Sequence, residues 1–424
     1  MIYSIDEIIK NARKNSQYYK DAYSKLSENI KIEDLPIVDQ KEFWSANKFK
    51  ENKLLTSEFL DGVLFKSGGT TGRPKFSAFT KDEWDAFTSE FGWGISQGHL
   101  KSGDHVGNLF YSGDLYASFA FIMKSLEHEY NSIVQFPMTG TMIFPEIIKA
   151  IDEYQINVLA GVPTTFLNLA EYILENNIKS EITLILFGGE SLYQDQIKVL
   201  QKAFPKAKID SIGIASVDGG HLGYFDHECM NGEHKVFQKS TLVEIIDEET
   251  GKTIKEKGKT GRLVYTNLTR KLMPIIRYPA GDMAEWKECE FIDGKFQGIK
   301  YQLHGRSDEG ARVGPVTIGT DDIHDIFTKE ILGTALTSFQ LVINHKGGLD
   351  QLTIVLVPEE KIVKTEQELI KIIYSERPML EQAITSGIIS SIIIKIEDME
   401  ALIRNQRTGK QRLVVDLREN GKIT

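Results

Sequence analysis

At the start of the chain apolar side chains recur three and four residues apart: Ile5, Ile8 and Ile9, then Tyr18, Tyr19, Tyr23 and Leu26. That spacing predicts a helical lead-in over residues 1–50. From 60 to 300 the pattern becomes short apolar runs (GVLF, HVGNLF, NSIVQF, NVLAGV, TLILFGG, AKIDSIGI) alternating with amphipathic stretches such as PEIIKAIDEY, FLNLAEYILENN and YQDQIKVLQKAF. Buried strands separated by surface helices give that alternation, so it predicts an α/β domain. After 235 two β-rich runs flank the turn-forming segments ETGK and KGKTG, which predicts an antiparallel subdomain. Beyond HGRSDEGARVG (304–314) the order is a strand pair (FQLVINHKGGLDQLTIVLV), one helix (EQELIKIIYSERPMLEQAI) and a strand (IISSIIIKI). The expected organisation is a large N-terminal α/β domain over 1–305 and a small C-terminal α+β domain over 306–424.

At 424 residues the chain exceeds one ordinary hydrophobic core, in keeping with two domains. The net charge of -10 is spread along the sequence, which argues against nucleic acid or an anionic membrane as partner. A phosphate-bearing ligand would need a site built locally from backbone N–H groups and a few placed cations. Two cysteines, Cys229 and Cys289, form no disulfide framework and fit a reducing compartment. The first twenty residues lack the continuous apolar stretch of a signal peptide, and the most apolar windows fall short of the roughly 20 residues of a membrane span. The expectation is a soluble, cytoplasmic protein.

The segment with the most chemistry is LFKSGGTTGRPKFSAFT, residues 64–80. A strand-like run empties into Ser67, Gly68, Gly69, Thr70, Thr71 and Gly72, then Arg73, Pro74 and Lys75. Glycines let successive N–H groups turn inward, hydroxyls add donors, and a cation balances phosphate charge. No G-x-x-x-x-G-K-[ST] spacing runs through it, so it is not a Walker loop. A polar hairpin turn has a similar composition.

SGGTTGRPK closely resembles the phosphate-binding signature of the acyl-adenylate-forming superfamily, with Gly68 where the pattern usually has a second serine. Within it, the closest resemblance is to phenylacetate-CoA ligases and their relatives in phenazine biosynthesis and acyl-protein synthesis. Further segments follow in the expected order. DLPIVDQKEFW (34–44) looks like the short N-terminal signature of that branch. GVPTTF (161–166), with Gly161 and Pro163, and LFGGESL (186–192), with Gly188, Gly189 and Glu190, resemble strand ends lining the acyl and adenine pockets. A Gly-Gly turn after an apolar strand lets a flat base approach the backbone, although such turns are commonly bland.

IASVDGGHLGY (214–224) stands where relatives carry a Tyr-Gly-x-Thr-Glu-like motif. The resemblance makes Ile214, Ala215 and Ser216 nucleotide neighbours and Asp218 the magnesium ligand. Ile214 and Val217 depart from the motif, and an Asp that caps a turn reads the same way. MPIIRYPAGD (273–282) matches R-Y-x-x-G-D and implies Asp282 for the ribose hydroxyls. GRSDEGARVG (305–314) resembles the inter-domain hinge, with Arg306 near the nucleotide and Asp308 as pivot, though ordinary linkers share its composition. IRNQRTGKQRLVVDLRE (403–419) resembles the C-terminal signature carrying the catalytic lysine, here Lys410, while a TGK turn alone reads as solvated surface. Thr70 joins Lys410 and Asp218 in the implied catalytic set.

Two weaker groups complete the reading. NLFYSGDLYASFAF (108–121) offers Tyr111, Asp114 and Tyr116 for an acyl pocket, or simply as core. His227, Cys229 and His234 lie close in sequence, but their spacing falls short of a structural zinc pattern. The resemblance implies that a carboxylic acid, aromatic by the nearest branch, attacks Mg·ATP to give acyl-AMP and pyrophosphate. The mobile small domain then turns about Asp308, and coenzyme A accepts the acyl group. Transfer to a reductase or an acyl carrier protein, or a nucleotide-binding homologue without catalysis, are the competing readings. Branch relatives suggest a homodimer.

Overall fold

The computed structural model describes residues 2–28, 30–67, 75–113, 115–190, 192, 194–306, 310–313, 316–346, 349–387, 389–404 and 411–418. The lead-in forms helices Ile5–Asn15, Gln17–Ala22 and Gln40–Ser45, separated by extended and turn segments. Ser4 starts the first with a capping box shared with Glu7, and Asp39 caps the third by accepting from the Glu42 N–H. Ile8, Ile9, Tyr19, Tyr23 and Phe43 pack with Tyr265, Ile275, Ile276 and Tyr278, so the lead-in is part of a core.

Five strands form a parallel sheet: His105–Asn108, Val134–Pro137, Val158–Gly161, Leu184–Phe187 and Lys208–Ser211. Val134–Pro137 lies at one edge next to His105–Asn108, and Val158–Gly161 lies on the other side of His105–Asn108, followed by the last two in sequence order. The direction of winding therefore reverses at the neighbours His105–Asn108 and Val158–Gly161. Open parallel sheets of this order bind ligands beyond the strand C-termini at that reversal. Register levels those ends, with Asn108 opposite Ala160, and Gly161, Phe187 and Ser211 in one row.

The run AKIDSIGI does not form one strand. Gly213 takes φ +109, and a Cβ there would lie 3.0 Å from the Gly223 carbonyl oxygen and 3.1 Å from the Phe91 ring. The chain turns, and Ile214–Ser216 opens a second, antiparallel sheet of seven strands that also holds Gly220–Tyr224, Glu233–Val236, Thr241–Ile246, Thr260–Asn267, Tyr278–Ile292 and Lys295–Arg306. A separate antiparallel pair, Val63–Ser67 with Lys75–Phe79, aligns Ser67 with Lys75.

The chain divides into two compact units. One comprises Met1–Gly161, Ile182–Gly189 and Lys208–His304; the other comprises Val162–Glu181, Glu190–Ala207 and Gly305–Thr424. The second is an α+β unit whose sheet pairs Leu336–Lys346 with Leu349–Pro358 antiparallel, flanked by Val414–Asp416 and Ile393–Ile396 in parallel. Its expected single helix is two, Glu366–Glu376 and Pro378–Thr385, because Pro378 cannot continue the hydrogen-bond ladder and instead opens the next helix. The expected strand at IISSIIIKI shortens to Ile393–Ile396. The α/β class, with an antiparallel part and a C-terminal α+β part, is the one the sequence pattern indicates. No helix among the described residues is long and apolar enough to cross a membrane.

Candidate functional site

Past the level ends of the parallel strands, the first unit brings several of the singled-out residues together. Gly188 follows strand Leu184–Phe187 and donates its N–H to the Gly161 carbonyl at 3.1 Å. A Cβ at Gly188 would sit 2.7 Å from Ile212 Cγ2 and 3.8 Å from the Phe110 ring, so only glycine fits between them. Gly189 takes φ +81. Asn108 steers the neighbouring loop: its side-chain oxygen accepts from the Phe110 N–H (3.0 Å) and its amide donates to the Phe119 carbonyl (3.2 Å). The Tyr111 carbonyl in turn accepts from the Phe119 N–H and the Ser118 hydroxyl, both at 3.1 Å, and the Tyr111 ring lies against Gly140. The Tyr116 N–H donates to Gly113.

Ile214, Ala215 and Ser216 form a short strand paired with Gly220–Tyr224. Asp218 sits in the turn joining the two strands. Its N–H donates to the Ser216 hydroxyl (3.2 Å), and its carboxylate lies 3.8 Å from Lys75 Nζ. Lys75 also lies 5.1 Å from the centre of the Trp44 ring, whose indole N–H donates to the Tyr278 hydroxyl at 2.8 Å. The glycine-rich segment thus starts and ends at an aligned pair, Ser67 and Lys75, and its last cation meets the carboxylate singled out for magnesium. A cation and a carboxylate in contact, both largely shielded from water, can hold a phosphate and one side of a hard metal ion respectively.

Asp282 lies half-buried on strand Tyr278–Ile292. Burial, and then the Asp282 carboxylate, push the Tyr301 hydroxyl well above its ordinary range. Gly68, Gly69, Thr70, Thr71, Gly72, Asp114, Asp308 and Lys410 lie outside the described residues, as do the side chains of Ser67 and Arg306. In the second unit Pro163 opens helix Pro163–Glu175. The Glu190 carboxylate accepts from the Thr164 N–H (2.9 Å) and hydroxyl (2.7 Å), so it stabilises the first turn of that helix.

His227, Cys229 and His234 do not converge as a set. Cys229 donates its N–H to the Asp226 carbonyl, and burial pushes its thiol up to about 12. His234 Nε2 lies 2.7 Å from the Ser211 hydroxyl, which also accepts from the Gly213 N–H at 3.1 Å. This bonding fixes the turn that sends Ile214 away from the parallel sheet. A second imidazole, His221, lies 2.6 Å from the Ser240 hydroxyl, which donates to Glu90 at 3.3 Å.

His234 and His221 are 4% and 0% exposed, and burial pushes them down to about 4 and about 3. Both are neutral in the fold, whereas the unfolded chain takes up their protons below 6.5. Their contribution is complete above that value and is lost as the pH falls below it. Each histidine is expected to remove about 1.4 kcal/mol of stability per pH unit there. Denaturant titrations at about pH 7 and about pH 5.5 check this, and His234→Asn should flatten the dependence.

The residues missed in the sequence are those acting at long range: Trp44 beside Lys75, and Arg270, which bonds the Asp218 turn. Trp44 closes the segment DLPIVDQKEFW, in which nothing marks its contact with Lys75, and Arg270 stands outside every motif singled out in the sequence.

No protein-family model matches the chain. The phenylacetate-coenzyme A ligase of Thermus thermophilus is 22% identical over 288 residues, 67% of this chain and 63% of that enzyme. The indoleacetate–lysine synthetase of Pseudomonas savastanoi is 27% identical over 221 residues, 51% of this chain and 52% of that enzyme. The chain thus spans less than two thirds of the length of these relatives. A crystal structure of a 2-hydroxyisobutyryl-CoA ligase with its acyl-AMP superposes with a TM-score of 0.69, covering 98% of this chain and 88% of that one at 16% identity. The chain is thus similar in sequence to phenylacetate-coenzyme A ligases and in fold to an acyl-CoA ligase that forms an acyl-AMP. The two departures noted at this motif, Ile214 and Val217, lie in the strand that follows the Gly213 turn and in the turn that joins it to Gly220–Tyr224, respectively.

Proposed function

We propose that this chain is a member of the acyl-adenylate-forming superfamily that joins a carboxylic acid to AMP, using ATP, and passes the acyl group to coenzyme A. The carrying observation is the contact of Lys75 with Asp218, at the end of the glycine-rich segment. In the first step a carboxylate oxygen of the acid bonds to the α-phosphorus of ATP. The bond from that phosphorus to the bridging oxygen breaks, and pyrophosphate leaves with the electron pair. In the second the thiol sulfur of coenzyme A attacks the acyl carbon and AMP leaves.

The segment from Ser67 to Lys75, with Thr70, takes the leaving phosphates, and Lys410 balances charge developing on the α-phosphate. Asp218 would supply one carboxylate to a magnesium ion, which would offset the phosphate charge. Asp282 receives the ribose hydroxyls, Gly188 and Gly189 leave room for the adenine, and Tyr111 and Gly161 border the acid. Asp308 and Arg306 are assigned to the hinge and the nucleotide as the resemblance implies. An arylacetic acid is the preferred substrate because the relatives are named for phenylacetate and indoleacetate. The cytoplasm is the proposed compartment.

A second reading, transfer to an acceptor other than coenzyme A, is favoured by the relative named for lysine. A reductase or acyl carrier protein is an acceptor of the same class. The test is pyrophosphate release over a panel of arylacetic, aryl and short acyl acids, with and without coenzyme A. Acid-dependent release with thioester formation is expected. Release without thioester selects the second reading, and background release across the panel overturns both.

A further inference from the structure

We infer that Arg270 is the positioning residue that holds Lys75 and Asp218 in register. Arg270 is fully buried, and its guanidinium bonds two backbone carbonyls from distant parts of the chain. Nη1 donates to the Asp218 carbonyl at 2.6 Å, and Nη2 donates to the Ala78 carbonyl at 2.9 Å. Ala78 stands on strand Lys75–Phe79, three residues past Lys75. One planar, rigid fork therefore bonds the strand that carries the lysine and the turn that carries the carboxylate.

The surroundings keep that fork in place. The guanidinium lies 4.0 Å from the centre of the Phe79 ring, on the face a cation favours. Glu83, itself buried, is close enough to counter the charge. Its carboxylate is bound elsewhere, accepting from the N–H groups of Lys271 (2.6 Å), Leu272 (2.7 Å) and Thr80 (3.0 Å). Those bonds fix the backbone on both sides, at the residues following Arg270 and at the residue following Phe79. A buried arginine whose donors go to carbonyls instead of a carboxylate is costly as a purely structural element. Placed here, it sets the distance between two charged groups through the backbone that carries each of them.

The inference rests on the proposed roles of Lys75 and Asp218, and two readouts separate its failure from theirs. The first is the magnesium dependence of ATP-driven pyrophosphate release in Arg270→Lys and Arg270→Met. The magnesium concentration for half-maximal rate is expected to rise by roughly tenfold in Arg270→Met, the loss of one bond to a charged group, and by less in Arg270→Lys. The KM for the acid should stay as in the unaltered protein. A purely structural role would lower the active fraction and leave the magnesium dependence unchanged, and that outcome overturns the inference. If Arg270→Met does not fold, Arg270→Lys decides, since it keeps a cation beside Glu83.

The second readout is the crystal structure of Arg270→Lys, in which Lys75 and Asp218 are expected to separate beyond ion-pair range, about 4 Å. Unchanged spacing overturns the inference. If the unaltered protein releases no pyrophosphate with any acid, the proposed activity fails on its own and this structural comparison still decides the role of Arg270.

Discussion

Arg277→Ala is expected to lose about 3–5 kcal/mol of stability, the cost of stranding one partner of a buried ion pair. Arg277 Nε and Nη2 meet both oxygens of Glu244 at 2.9 Å, and the two side chains are 5% and 12% exposed. Nη1 donates to the carbonyls of Glu33 (2.9 Å) and Leu35. The backbone is committed as well: the Arg277 N–H donates to the Thr266 hydroxyl, and its carbonyl accepts from Val38 N–H. These bonds retain a non-glycine residue at φ +47. Arg277 thus links the segment before helix Gln40–Ser45 to the antiparallel sheet, one residue before the strand that bears Asp282. Denaturant unfolding of Arg277→Ala and Arg277→Lys checks it. A loss below about 1 kcal/mol in the alanine variant would place the ion pair among those of surface value.

The parallel sheet was legible because strands buried between helices are continuous apolar runs, and three of its five strands are buried along most or all of their length. The division of AKIDSIGI was not legible. Both halves are apolar, and only the positive φ at Gly213 shows that one belongs to each sheet. The longest strands, Tyr278–Ile292 and Lys295–Arg306, also escaped the pattern. Their charged residues find partners along one strand at Lys287–Glu285 and between the two at Lys300–Glu288, so strand and polar surface coincide. In the second unit Pro378 was visible in the sequence, yet the apolar spacing runs through it, and periodicity alone does not show whether a helix bends or restarts there.

The site separates along a similar line. Gly188 and Gly189 could be read because the need for glycine is local: a strand end followed by one position where a Cβ would crowd Ile212 and one at φ +81. Asp218 could be read because it sits in a short motif. What brings it to Lys75 could not, since Arg270 lies 52 residues from Asp218 and 192 from Ala78. Trp44 belongs to a segment whose resemblance was clear and whose contact with Lys75 was not. Glu190 stood in the nucleotide set by resemblance, and its carboxylate is bonded to Thr164 at the first turn of Pro163–Glu175. Motifs report which residue types recur, whereas the contacts that aim them are set by chain folding.

Lys410→Ala is expected to lower acid-dependent pyrophosphate release by on the order of 100- to 1,000-fold, as removal of one preorganised donor does in a charge-developing step. Placement of the lysine depends on the residues that flank its segment. Arg404 and Gln411, which flank it, form an antiparallel bridge. Gln411 donates to the Phe339 carbonyl (2.6 Å) and accepts from the Ser338 hydroxyl (2.7 Å). Gln340 on the same strand donates to the carbonyls of Ile403 (2.8 Å) and Arg412 (2.7 Å) and accepts from the Ile403 N–H. Both flanks are therefore bonded to strand Leu336–Lys346, in the core of the second unit. Gln340→Ala should reproduce part of the Lys410→Ala loss while leaving the lysine intact, because the buried amide serves both ends at once. Single-turnover measurement of acyl-AMP formation reads the effect directly. A Lys410→Ala rate within about threefold of the unaltered protein would show that the charge is balanced elsewhere.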